Sequence, residues 1–407
     1  MVKSVVTRRP VCYSVRAMTA TWGNPIDDRP AWYRRLRYED APFSPWRVGR
    51  SIGYLVKYWR KRPGAPAAVV DRFNRLRDAS RAATVPPADF TIAAVGDILW
   101  VRRGYERLIH ESLAPALKAD LTVGNLETPV CPSRPVPGVR PEVIRENVPT
   151  AVLDTLARFG FNVLSVANNH CLDQGPAGLA ETPEEVRRAG MLPVAGREAV
   201  TVTCGGLRAA CLAFTTFVNR RRGLTAPDGM LLRPSTDERR AFLDAVRAAR
   251  ADGPDLVIVS AHWGYEHEFL PDPWQIDLAR DLAEAGADVV LGHHPHVVQP
   301  AEFVTVPGDP PRRTVVLYSL GNFASVMFGL TCRVGVVARL GFGLGEGRPR
   351  ITSVSFTPTI VRVGRGWRTD VLALDAAEAE GVPPRRLARA DALVRAQTPL
   401  ILTPPTD

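Results

Sequence analysis

Residues 90–100 read FTIAAVGDILW. An apolar run broken only by Thr91 ends in Gly96-Asp97, the pattern of a strand buried on both faces that turns at a polar residue. The same grammar recurs along the chain. Strands are expected at Phe90–Val95, Leu121–Val123, Asn162–Ser165, Leu207–Ala213, Leu256–Ser260, Val289–Leu291 and Val315–Tyr318. Helical stretches separate them. Thr182-Pro183-Glu184-Glu185 and Ser235-Thr236-Asp237-Glu238 offer capping boxes, and Asp272-Pro273 opens a helix that should stop near Gly286. Strands alternating with helices predict an α/β fold. Beyond about Val298 the pattern turns to strands, including Cys332–Leu340 and Ile351–Val363, and residues 366–407 read as a helical or irregular tail.

Outward from this core, composition marks a boundary. Residues 1–88 hold 18 Lys and Arg against 6 Asp and Glu, whereas the remaining 319 hold 34 against 36. Four of the eight Trp also fall in that first segment, at 22, 32, 46 and 59. A basic, aromatic and mainly helical extension is expected over 1–88, with the main domain over 89–365. Ser51–Arg62 (SIGYLVKYWRKR) and Ala68–Ala83 carry roughly helical spacing. Such a segment packs on the main domain, docks an acidic peptide, or meets nucleic acid or an anionic membrane. With no nucleic-acid module in a mildly acidic remainder, packing and a peptide partner lead, and neither nucleic acid nor membrane is expected. No apolar run approaches the ~20 residues of a membrane-spanning helix, and the first thirty residues contain no secretory apolar core. The six Cys form no CxxC pair. A cytoplasmic location with free thiols is therefore expected.

The polar residues at strand ends carry the chemistry. They are Gly96-Asp97, Gly124-Asn125-Leu126-Glu127, Asn168-Asn169-His170 with Asp173, His262-Trp263-Gly264 with Glu266, Gly292-His293-His294-Pro295-His296, and Ser319-Leu320-Gly321-Asn322. Six of the seven His lie in or beside these motifs, leaving His110 outside. Carboxyl ends of strands gather at one edge of an α/β sheet, where sites are built. Asp97, Glu127, Asn169, His262, His294 and His296 form an oxygen and nitrogen ligand set for one or two divalent ions such as Mn, Fe or Zn. His170, next to Asn169, is placed for acid/base work with Asp173 as its orienting partner. Glu266 lies four residues after His262; if that loop opens a helix the two share a face, with Glu266 as partner or base. His293 is a further acid/base candidate. Asn125, His267 and Asn322 are candidates for substrate contact, while Asn125 and Asn322 are also ordinary turn residues.

Taken together, AAVGDILW, VGNLETPV, ANNHCLDQG, SAHWGYEHEF, LGHHPHVVQP and YSLGNF make residues 90–325 resemble the CapA family of poly-γ-glutamate capsule synthesis, a relative of the calcineurin-like metallophosphoesterases. The resemblance implies a four-layer αββα sandwich with metals at the strand ends. It carries the same six ligands onto Asp97, Glu127, Asn169, His262, His294 and His296, and an acid/base role onto His170. Where the wider superfamily has Asp-x-His, this chain has Asp97-Ile98-Leu99, and where it has Gly-Asp, this chain has Gly124-Asn125. These departures fit a smaller cytosolic branch that resembles the epimerases of lasso-peptide biosynthesis. That branch implies a metal-dependent enzyme inverting a Cα centre of a precursor peptide. A phosphoesterase and a non-catalytic polyglutamate protein are the alternatives.

Overall fold

The computed structural model describes residues 65–79, 85–136, 146–219, 224–232, 237–308, 311–345 and 347–404. Ser51–Arg62 and the capping box at 235–238 lie wholly or partly outside them. Two sheets stack face to face. The larger has the order β14-β13-β12-β1-β2-β3-β4, with β11 beside β1 and β15 beside β13. Its strands are β1 (Phe90–Ile98), β2 (Leu121–Leu126), β3 (Val163–Ser165), β4 (Leu192–Val194), β11 (Asn322–Ala324), β12 (Val334–Gly343), β13 (Arg350–Val363), β14 (Thr369–Ala373) and β15 (Ile401–Leu402). The smaller has the order β5-β6-β7-β8-β10-β9. It comprises β5 (Gly196–Cys204), β6 (Leu207–Thr215), β7 (Leu256–His262), β8 (Val289–His293), β9 (Ala301–Val306) and β10 (Arg312–Leu317).

Side-chain alternation along each buried strand explains the layering. In β1, Ile92 and Ala94 point into the core between the sheets, whereas Ala93 and Val95 point outward. In β7, Leu256 and Ile258 face inward, and Val257 and Val259 face outward. Each outer face is then covered by helices. Val152, Leu153 and Leu156 of the helix Ala151–Arg158 cover the larger sheet. Phe242 and Val246 of Asp237–Ala251, with Leu278 and Leu282 of Pro273–Ala285, cover the smaller. The result is the four-layer αββα sandwich of calcineurin-like type that the motifs imply.

Local signals hold at Pro273, where Asp272 and Gln275 form a reciprocal capping box, and at Gly286, which ends the helix at φ 122°. They fail at Thr182. The helix there runs Gly175–Arg188 with Pro183 inside it. The Thr182 hydroxyl instead accepts from the Val130 amide at 3.1 Å.

The boundary at 365 does not match the sheet. β14 lies beyond it and pairs antiparallel with β13. The helix Pro384–Gln397 buries Ala390 and Val394 against the inner core. A short connection across Arg365–Trp367 hid this hairpin from a reading by composition. The boundary at 88 is likewise not a structural one. Helix α1 (Ala67–Ala79) places Val69 and Phe73 in the outer core of the smaller sheet. Its Arg72 donates from Nε at 3.1 Å and Nη2 at 2.6 Å to Glu302, which also accepts from the Tyr318 hydroxyl at 2.7 Å. For this part of the extension, packing is what the structure shows. Among the described residues no helix is long and apolar enough to cross a membrane.

Candidate metal centre

The parallel registers put the motifs at one edge. Asp97 lies beside Asn125 on β2 and beside Asn322 on β11, while His262 lies beside His293 across β7 and β8. Two glycines let the backbones come this close. A Cβ on Gly96 would lie 1.9 Å from the Gly321 carbonyl oxygen, and one on Gly292 would lie 2.0 Å from that of Tyr318. The loop between the two histidine ligands is strained. His294 has φ 96° and His296 φ 58°, values that L-residues rarely adopt and that cluster at functional sites.

Asp97 is the junction of the two sheets. Its Oδ1 accepts from Asn125 Nδ2 at 2.8 Å, and its Oδ2 accepts from the His294 amide at 3.1 Å. His296 Nδ1 lies 3.1 Å from that Oδ2 and 3.0 Å from Asn322 Oδ1. Ligand atoms of Asp97, Glu127 and His262 lie within 4.8 Å of one another, as do those of Glu127, His294 and His296. Glu127 is shared by both groups. Asn169 joins them through Oδ1, 3.0 Å from His262 Nε2. The structure therefore brings all six sequence-derived ligands together.

These residues fit a divalent cation. Among the described residues, both Glu127 carboxylate oxygens and His294 Nδ1 are buried without a hydrogen-bond partner, and an orphaned buried charge is costly unless something positive meets it. Burial, with the Asp97 charge added, pushes the Glu127 carboxyl well above its ordinary range. Burial would raise Asp97 as well, but hydrogen bonds from His293 and His296 outweigh it and hold that carboxyl well below its usual range. Burial, then the neighbouring imidazole, drives His262 and His294 far down. Neutral rings with available lone pairs are what a metal requires.

His170 stands beside this centre. Its Nδ1 lies 2.8 Å from Asp173 Oδ2, which also accepts from the Glu146 amide at 2.7 Å. Burial would lower the His170 pKa, yet the Asp173 charge, helped by Glu146 and Glu266, raises it. Nε2 is left as the ring atom without a protein partner among the described residues.

Other expectations need correction. Glu266 does not share a helix face with His262, because positive φ at Gly264 (81°) and His267 (64°) makes this segment a loop. Its charge still reaches Glu127 and His170. His267, expected at substrate, is 1 % exposed, with Nδ1 3.3 Å from Cys332 Sγ. Asn322 is fully buried; its Nδ2 donates to the Cys332 carbonyl at 2.8 Å and its Oδ1 holds His296. Asn125 is equally buried and serves Asp97. His293 Nδ1 lies 3.4 Å from Asp97 Oδ1 and is buried, so it faces the ligand carboxylate instead of open space.

Four residues that contact the site escaped the sequence reading. Arg102 pairs through both Nη atoms with buried Glu146, at 3.2 and 3.1 Å, tying the first motif to the His170 loop. Phe217 lies edge-on to His294 at 4.6 Å between ring centroids, and the Asn219 amide N–H donates to the Asn169 carbonyl. The signal for the last two was present: Thr215-Thr216-Phe217-Val218-Asn219 is one more polar run after a strand.

Fold and site define a metallophosphoesterase-like sandwich with a ready cation cluster. Comparison narrows the class: residues 91–327, more than half the chain, match the family described as bacterial capsule synthesis protein PGA_cap, and the chain belongs to that family. It is 29% identical over 249 residues to the capsule biosynthesis protein CapA of Bacillus anthracis, covering 57% of this chain and 59% of that one. It is 31% identical over 227 residues to the PGA biosynthesis protein CapA of Bacillus subtilis strain 168, covering 53% and 56%. A probable polyglutamine synthesis accessory protein of Mycobacterium tuberculosis is 28% identical over 223 residues, covering 50% and 55%. The chain thus spans little more than half the length of these relatives.

Proposed function

We propose that this chain is a metal-dependent enzyme that inverts a Cα centre of a peptide by acid/base catalysis. One observation carries the reading: a His170–Asp173 dyad, aligned at 2.8 Å, stands beside a buried cluster whose carboxylate is unsatisfied. Similarity to a relative named a probable polyglutamine synthesis accessory protein supports a substrate built from amino acids. Asp97, Glu127, Asn169, His262, His294 and His296 would hold one or two ions, with Mn, Fe or Zn suited to the donors. A bound ion supplies Lewis acidity at a substrate carbonyl oxygen.

The chain's own residues handle the proton. Asp173 holds the imidazole through Nδ1, which leaves Nε2 to take or give a proton. Glu266, one quarter exposed at its side chain and close enough to act on His170 electrostatically, is the second group. One removes the Cα proton and the other returns a proton to the opposite face, leaving composition unchanged.

Phosphoester hydrolysis is the second reading, favoured by two ligand groups that share Glu127. Against it, Ile98 is buried in the outer core and Leu99 packs with Val297 and Met327, so neither supplies the expected additional ligand.

The test is proton exchange. Protein with Mn²⁺ and acidic peptides in D₂O should yield a gain of about one mass unit at one residue, abolished by EDTA and by His170→Ala. Turnover of a phosphoester that depends on His170, without exchange, would replace this reading with the second.

A further inference from the structure

Three segments meet at the outer rim of the metal centre. The first is Trp100–Arg103, which continues from Asp97. The second is Val326–Phe328, which follows Asn322. The third is the turn Arg365–Arg368. Backbone contacts tie them together: the Val326 amide donates to the Trp100 carbonyl at 3.4 Å, and the Thr369 amide to that of Arg103 at 3.0 Å. Arg103 and Arg368 form a parallel bridge.

The rim carries an unusual pairing of side chains. Phe328 is 61% exposed, the most exposed large hydrophobic among the described residues, and its ring meets Trp367 edge-on at 6.0 Å. Trp367 holds φ 65°, a strained value for a bulky residue. Arg103, Arg365 and Arg368 are exposed around this pair, and none forms an ion pair among the described residues. The Arg103 guanidinium lies beside the turn, since a Cβ on Gly366 would come 3.6 Å from its Nη1. The rim is continuous with the centre. Asn322 Nδ2 lies 3.5 Å from Met327 Sδ, and the same amide holds His296.

We infer that this rim docks an α-linked peptide segment bearing carboxylates and an aromatic side chain, and so delivers a chain to the metal centre. The inference rests on the peptide reading above and deepens it. Charge complementarity selects the occupant: three guanidinium groups with no ion pair among the described residues favour carboxylates, which they can bind bidentately. The Phe328–Trp367 pair offers an apolar platform between them. A purely anionic polymer leaves that platform unused.

The experiment uses the full chain and binding alone. The probe is a fluorescent α-linked hexapeptide of alternating Glu-Glu-Phe units, read by anisotropy. Binding with Kd below about 100 µM is expected, weakened about tenfold or more in the Arg103→Glu/Arg368→Glu variant and in Phe328→Ser, and kept in Phe328→Trp. Unchanged melting temperature and Mn²⁺ binding would show that these exposed variants fold. Equal affinity of wild type and charge-reversed protein, including no binding by either, overturns the inference. So does stronger binding to oligo-γ-glutamate with no effect of Phe328→Ser, or binding only to phosphatidylserine vesicles. Rim-dependent binding without proton exchange would fail the epimerase reading alone. Exchange that is indifferent to both rim variants would fail the rim alone.

Discussion

At the scale of single residues, His170 and Glu127 make separable predictions. The Asp173 charge raises the His170 pKa, so the folded state favours the imidazolium. The pair therefore stabilises the fold below the ordinary histidine range, and that stability is lost as pH rises through the raised value. Asp173→Asn should shift His170 downward, visible in the ring proton NMR titration; an unmoved titration would deny the coupling. Burial pushes the Glu127 carboxyl the same way, so the metal-free protein loses stability as pH rises from the ordinary carboxyl range up to that raised value. Asp97 has the opposite sign: its contribution is present above the unfolded carboxyl range near about 4 and falls away below it. Glu127→Gln should remove the rising-pH penalty in metal-free melts while cutting Mn²⁺ affinity, measured by calorimetry, at least tenfold (~1.4 kcal/mol).

At the scale of elements, α1 decides how the basic segment is to be divided. Its Phe73 ring is 5% exposed and meets Tyr318 edge-on at 5.6 Å. Phe73→Ala should cost about 3 kcal/mol of stability, read as a lower denaturant midpoint. Removing residues 1–88 should destabilise the sandwich as well, since it strips Val69 and Phe73 from the core and Arg72 from buried Glu302. A truncation with an unchanged melting curve would mean that α1 adds nothing. The same element shows why sequence reading stopped short. Continuous apolar runs made β1, β6, β7 and β8 legible, because a strand buried on both faces has no other explanation. β5 alternates polar and apolar residues at an exposed edge, and β11 is three residues long, so neither rises above the background. The ligands were legible because Asp, Glu and His sit in strand-end turns. Arg102 and Glu146 were not, because their pairing joins loops 44 positions apart and depends on the finished sandwich.

At the scale of the molecule, the cation cluster is also a clamp. Asp97 comes from the larger sheet, and it receives the His294 amide from the smaller. An ion held by Glu127, His294 and His296 would join both sheets, so binding should register as global stability. At about 100 times Kd, a single site adds roughly 2.7 kcal/mol. Mn²⁺ should therefore raise the melting temperature, EDTA should reverse the rise, and His294→Ala should abolish it; a melt indifferent to Mn²⁺ would remove the cation from this account.

The left-handed backbone at His294 and His296 has a consequence for how the protein can change. Folding must hold two side chains in a conformation that glycine would accept freely, before any ion arrives. The loop is thus set in advance, and its cost falls on the apo chain. His294→Gly and His296→Gly should melt higher than the corresponding Ala variants, since glycine relaxes the backbone that alanine leaves under tension. Drift toward a sturdier fold therefore runs directly through loss of the ligands. A descendant that has given up its chemistry should betray itself by glycine in this loop, with the sandwich intact around it.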